Sequence, residues 1–379
     1  MRIPSSMTND ELETLYTKIG DDSINLPTSF KKLRLGLLPR ICQLLITALK
    51  PDPNKKIKFP QFESHVDGAV KKLLEDPQSL TALMMSDEVF EKDIEVEGKK
   101  QPKELKSVIN QNMQKRLNQS LLGKNHRLQL FAVDHSTPKY QFPACFYFPE
   151  TSDNLRLSAY YNDLISRSLK SSNNAAIQDS LSGLGQLMFE LVENTHQHGR
   201  QEINVGKVKK SVRGMVIDYK LITAEQTSEN IGGENTAITH YLTALREDNP
   251  TLHLLEISLF DSGYGILKSL VDGNTKTMPI QKEVEIIEKS FAKGVTSKAD
   301  LNGYGRGLFN VREVLDDRKG FISLRTGRVS LYRDFNSNPL TESEQEPLSL
   351  YDEQNQSNER YKALATTEGL AFSIVVSLR

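Results

Sequence analysis

Apolar residues recur at helical spacing in several stretches of this 379-residue chain, and the clearest stretch runs from residue 183 to 199. In GLGQLMFELVENTHQHG, stepping about 100° per residue puts Leu184, Met188, Leu191, Val192 and Thr195 on one face and Gln186, Glu193 and Gln197 nearly opposite. Glu190, Asn194 and His198 follow at steps of four along the seam between those faces. Residues 28–49 carry a second helical pattern, with Thr28 or Ser29 as N-cap and a kink or break expected at Pro39. Asp76-Pro77 opens a helix predicted to continue through LTALMMSDEVFEK, residues 104–121 predict another, and a helical run begins near Asn154. Strand patterning is present in LQLFAVDH, YQFPACFYF, LHLLEISLF and the closing TEGLAFSIVVSLR. The charged stretch Glu91 to Lys106 reads as a solvated loop. Residues 222–250 interrupt the second half as a polar insertion, and the acidic, proline-punctuated 334–362 is expected to be a mobile loop between two strands.

Length and texture divide the chain into a mixed α+β module over residues 1–150, a partner or sensing unit without a chemistry motif, and a second unit over 151–379. Hydrophobic residues make up 37% and charged residues 26% of the chain, enough apolar material for a real core. Lys plus Arg number 48 against 49 Asp plus Glu, so the net charge of −1 argues against a dedicated nucleic-acid binder. Cys42 and Cys145, the only two cysteines, sit in unrelated contexts and indicate neither a disulfide framework nor a zinc site. The longest apolar stretch, Leu35 to Lys50, is broken by Pro39 and Arg40 and is too short to span a bilayer. The N-terminal MRIPSSMTNDELE lacks the apolar core of a signal peptide. The expectation is a cytoplasmic protein with reduced thiols.

Candidate chemistry concentrates in three places in the second half. The helix already described aligns a carboxylate, an amide and an imidazole, a set suited to a hydrated metal and an attacking nucleophile. In LHLLEISLFDSGYGI a strand ends in Asp261, followed by Gly263 and Gly265. A carboxylate at a strand end can accept a hydrogen bond from the exocyclic amine of a purine, and glycines let a flat base approach the backbone. In SFAKGVTSKADLNGYGRGLFNVREVL, Gly303, Gly305 and Gly307 alternate directly before an amphipathic helix that begins around Leu308. Backbone N–H groups at a helix N-terminus attract phosphate, and Thr296, Ser297 and Lys298 stand just upstream with hydroxyls and a cation. The spacing is neither Walker A nor a dinucleotide fingerprint. Each motif alone is also compatible with an ordinary amphipathic helix or glycine turn.

Their order is more specific. FELVENTHQHG, then FDSGYGI, then GYGRGLFNV, then a terminal strand, resembles the N box and two glycine boxes of the Bergerat fold. That fold is shared by gyrase, the ninety-kilodalton heat-shock chaperones, sensor histidine kinases and MutL proteins, the GHKL superfamily. SFAKGVTSK before GRGL looks most like the lid of sensor histidine kinases. The resemblance covers roughly residues 155–379 and implies an α/β sandwich with helices on one face of a mixed sheet, ATP as ligand and Mg²⁺ as cofactor. It further implies that Asn194 binds the magnesium and Glu190 acts as general base, with His198 near the phosphates. Asp261 would read adenine in a pocket shaped by Gly263 and Gly265. Gly303, Gly305, Arg306, Gly307 and Leu308 would line the phosphate side with Thr296, Ser297 and Lys298, under a lid from about Ile280 to Asn302.

The departures bear on activity. His65, His126 and His135 are the only histidines of the first half, and none has the setting of a phosphoacceptor on a dimerising helix. The chain ends on the expected final strand, which fits a stand-alone or regulatory ATPase better than a gyrase-like enzyme. Three readings follow: a slow ATPase acting on a protein partner or as a homodimer, a kinase acting on a His or Ser of another protein, and a nucleotide-binding switch without catalysis.

Overall fold

The computed structural model describes residues 1–30, 34–60, 66–96, 99–117, 127–135, 147–148, 151–155, 158–168, 183–199, 201–202, 206–207, 210–233, 235–271, 275, 277–295 and 307–378. Its helices are α1 (Asn9–Tyr16), α2 (Leu37–Leu49), α3 (Val66–Glu75), α4 (Pro77–Met85), α5 (Lys106–Leu117), α6 (Ser158–Ser168), α7 (Leu184–His198), α8 (Ser228–Gly232), α9 (Thr236–Asp248), α10 (Gly265–Leu270), α11 (Ile280–Lys289) and α12 (Gly307–Asp317). Its strands are β1 (Ser23–Asn25), β2 (Lys56–Phe59), β3 (Val89–Val96), β4 (Lys99–Glu104), β5 (Arg127–Val133), β6 (Tyr147–Phe148), β7 (Thr151–Leu155), β8 (Gln201–Glu202), β9 (Gly206–Lys207), β10 (Val212–Ile222), β11 (Leu252–Asp261), β12 (Phe321–Thr326), β13 (Val329–Asp334), β14 (Tyr351–Asp352) and β15 (Leu370–Ser377). The class is α+β, as expected.

A seven-stranded sheet in the order β14-β13-β12-β15-β11-β10-β5 organises the molecule. Every pairing in it is antiparallel, where a mixed sheet was expected. An interior strand, β11, is apolar almost throughout because both faces are covered. Leu255, Ile257 and Leu259 join the core beneath α7 and α12, with Leu187, Leu191, Val311 and Leu315. Phe260 turns the other way, into a core shared with α2 and α4. Helices on both faces therefore replace the expected single layer.

That second layer comes from the first part of the chain. All thirteen residues of α2 are buried, and each of Ile41, Leu44, Leu45 and Ile46 is fully enclosed. Burial of such a side chain contributes about 1.5–3 kcal/mol. The N-cap of α2 is Gly36, at φ +84°, whose N–H donates to the buried Glu256 Oε1 of β11 at 2.8 Å. The helix starts at Leu37 rather than near Thr28, so Pro39 falls in its first turn, where the missing N–H removes no intrahelical bond. The expected division at residue 150 does not follow the hydrogen bonding, because β5, which precedes it, forms the sheet edge against β10.

Tertiary context changed four further expectations. α4 is capped by Asp76, whose side chain accepts from Ser79 N, but it stops at Met85, and Val89 onward is strand. The charged stretch 91–106 is largely the β3/β4 hairpin, since β3 pairs in parallel with β2 and buries Val89. The insertion 222–250 contains α8 and α9, and buried Tyr241 on α9 donates its hydroxyl to Val375 O at 3.3 Å. Residues 334–362 are tied down rather than free: Leu348 and Leu350 are buried, and Arg333 donates to Ser349 O at 2.8 Å. Arg312 of α12 also holds this segment, through Glu346 O and Ser343 O at 3.0 Å each. Among the described residues no helix is long and apolar enough to cross a membrane.

Candidate functional site

α7 buries Leu184, Leu187, Met188, Leu191 and Val192 against the sheet, as its apolar stripe predicts, and this fixes where its seam points. Glu190, Asn194 and His198 all line a cavity of about 340 Å³ between α7, the end of β11 and the start of α12. Asp261, Gly265, Gly307 and Leu308 line the same cavity. Leu259, Ile266, Leu370 and Phe372 supply apolar wall. Gly263 contributes through the backbone: its N–H donates to Asp261 Oδ1 at 2.9 Å.

Asp261 is 5% exposed at the very end of β11. Burial pushes its carboxyl up from the ordinary 3.8 to about 6, against the opposing pull of the Gly263 N–H and of the Lys50 and Arg213 charges. Behind it lies Gly369, at φ +67°, where a Cβ would fall 1.9 Å from Asp261 O. Only glycine fits there, and it lets the turn before β15 press against the Asp261 backbone. The polar side of α2 fixes that turn: Gln43 Nε2 donates to Arg325 O at 2.7 Å and Thr367 Oγ1 at 3.2 Å, and Lys50 pairs with Glu368 at 2.9 Å. The first part of the chain thus buttresses the Asp261 end of the cavity, a role its sequence did not disclose.

At the other end, Gly307 opens α12 in close contact with α7. A Cβ at Gly307 would lie 3.1 Å from Asn194 Nδ2 and 3.4 Å from Glu190 Oε2. Glu190 Oε1 accepts hydrogen bonds from Gln186 Nε2 at 2.5 Å and Asn310 Nδ2 at 2.6 Å. Asn194 Nδ2 is buried without a hydrogen-bond partner. An unpaired buried amide calls for an explanation, and rotation of the side chain presents its oxygen, a hard donor of the kind magnesium takes together with phosphate oxygens and waters. The donor set therefore fits Mg²⁺ held mainly by a bound polyphosphate. Among the described residues no three His, Cys, Asp or Glu side chains cluster as a metal site of their own.

Thr296, Ser297, Lys298, Gly303, Gly305 and Arg306 lie outside the described residues. The residues expected to open a lid at Ile280 are instead a helix packed into the core. Residues 280–289 are α11, anchored by buried Val284 and Ile287 and by Glu283, which accepts from Arg328 N at 2.8 Å and Arg328 Nε at 2.9 Å. Ser290 and Val295 already line the cavity. Sequence reading missed Asn310, although its place one turn after Gly307 was available as a signal, and Gly369, which the TEG before the last strand marked. No family model, curated protein or solved structure matches this chain.

Proposed function

We propose that the chain binds ATP with Mg²⁺ in this cavity, in the manner of the GHKL superfamily and its Bergerat fold, and hydrolyses it slowly to drive a conformational change felt by a partner. The observation that carries the reading is convergence: three motifs at residues 184–198, 261–265 and 307–308 line one cavity. Its volume of about 340 Å³ lies in the range of about 300–1,000 Å³ typical of ligand pockets. In this reading Asp261 accepts the exocyclic amine of adenine, and the apolar wall of Leu259, Ile266 and Phe372 covers the ring. The phosphates extend toward Gly307, where the α12 N-terminus and its partial positive charge receive them.

Asn194 would hold the magnesium, which would supply neutralisation of phosphate charge. Glu190 Oε2 is the oxygen left for the reaction, since Oε1 is occupied by two amide donors. It takes a proton from water as the water oxygen bonds to the terminal phosphorus, and the bond from that phosphorus to the bridging oxygen breaks to release ADP. His198, two turns beyond Glu190 on the same seam, sits at the Asp261 end, where a Cβ on Gly263 would fall 2.5 Å from His198 O, so no phosphate role is assigned to it. Most of the acceleration comes from positioning and electrostatics rather than covalent chemistry.

Calorimetric ATP binding and phosphate release on the wild type and Glu190→Ala test this reading. The variant is expected to bind ATP within about threefold of wild type while phosphate release falls by roughly 10²-fold or more, the share a positioned base supplies. A wild type that fails to bind ATP sinks the reading. Label moving from ATP to a protein instead of to free phosphate assigns the same groups to a kinase.

A further inference from the structure

The hydrogen bonds around Glu190 come from two different sources. Gln186 stands one turn earlier on α7, so its amide moves with Glu190 whatever the rest of the site does. Asn310 stands on α12, in the turn that Gly307 opens, and reaches across to the same oxygen at 2.6 Å. With Oε1 held by both amides, Oε2 is the oxygen directed at Gly307. Glu190 is only 8% exposed, so an amide that left it would not be replaced readily by water.

We propose that Asn310 is the positioning residue for Glu190: reaching across from α12, it holds Oε1 and so turns Oε2 toward Gly307, aligning the carboxylate for proton abstraction. Asn310 itself lines the cavity, and the role assigned to it is exerted through Glu190. The inference rests on the ATP hydrolysis reading and adds a specific residue to it. An amide is the group required, since it donates to Oε1 without carrying a proton that Glu190 could take. Asp at 310 would put a second carboxylate against Oε1, and one proton would be shared between the two acids.

The test compares full-length wild type, Asn310→Ala and Asn310→Asp for ATP affinity, kcat, and the pH dependence of kcat. For Asn310→Ala the expected result is a fall in kcat of about 10-fold to 100-fold, part of what general-base catalysis supplies, with ATP affinity within about threefold of wild type. For Asn310→Asp the acidic limb of the pH profile moves up by about one unit or more, as a like charge at hydrogen-bond distance requires. A merely structural Asn310 would lower thermal stability in both variants and leave the acidic limb where it is. An unchanged kcat in Asn310→Ala, or an unmoved limb in Asn310→Asp, overturns the inference and leaves ATP hydrolysis standing. A wild type that binds ATP but releases no phosphate also overturns it, whereas a wild type that binds no ATP overturns the functional reading itself. Asn310→Asp preserves side-chain volume and keeps the test open if the alanine variant fails to fold.

Discussion

Replacing Asp261 by Asn separates what this residue costs the fold from what it does for a ligand. In the folded protein its carboxyl is raised from 3.8 to about 6 by burial. A folded-state value above the unfolded one means that the native state holds the proton more tightly. Stability from this group is therefore fully present below pH 3.8 and is lost as pH rises through about 6. The displacement corresponds to about 3 kcal/mol, an upper figure for the penalty of carrying the ionised carboxylate at neutral pH. Asn is nearly isosteric, retains an oxygen for the Gly263 N–H, and carries no charge to desolvate. At pH 7.5, Asp261→Asn is expected to be more stable than wild type by about 1–3 kcal/mol in urea unfolding, and the gain should shrink toward zero near pH 4. The same substitution removes the ionised acceptor for a purine amine, so ATP binding should weaken by about tenfold or more even as the fold gains stability. Wild-type affinity should itself decline as pH falls below about 6, while the variant shows no such titration. Equal pH slopes of stability in the two proteins, or a destabilised variant, would refute the burial argument. Undiminished ATP affinity in the variant would refute the assignment of Asp261 to the base.

Two other substitutions probe the ends of the site. Gly307→Val should block the phosphate end, because its Cβ starts 3.1 Å from Asn194 and 3.4 Å from Glu190; calorimetry should show ATP binding weakened by about tenfold or more, with melting temperature lowered only slightly. Gln43→Ala, far from the cavity in sequence, strips the buried Arg325 O and Thr367 Oγ1 of their shared donor. Urea unfolding should register a loss of about 1–3 kcal/mol, and ATP affinity should drop because the Gly369 turn behind Asp261 loses its support.

What could be read without coordinates was mostly local. The stripe on α7 was legible because burial on one face leaves a 3.6-residue period, and Glu190, Asn194 and His198 fall on its seam with no further information. The apolar run before Asp261 placed it at a strand end, but an acid and glycines there also make an ordinary turn, and only the order of the three motifs singled it out. The polar residues of α2 were not legible in the same way. Gln43 and Thr47 are buried where the 363–369 turn meets them and Arg40 where Glu353 pairs with it, all more than 300 positions along the chain, and no local pattern records so distant a partner. The same holds for β5, an edge strand only by virtue of β10, and for the β3/β4 hairpin, whose charged composition was outweighed by pairing with β2. Residues 334–362 look disordered in composition, yet Phe335, Leu348 and Leu350 among their few apolar side chains are buried and anchor them.

The central claim is that one cavity holds ATP with adenine at Asp261 and phosphates at Glu190, Asn194 and Gly307. The most direct measurement is a crystal structure of the full chain with Mg²⁺ and a non-hydrolysable ATP analogue. The account predicts the purine amine within hydrogen-bond distance of Asp261, the terminal phosphate beside Gly307 and Glu190, and an Asn194 amide oxygen turned toward the metal. A nucleotide lodged outside this cavity, or bound with its phosphates at Asp261, would contradict it.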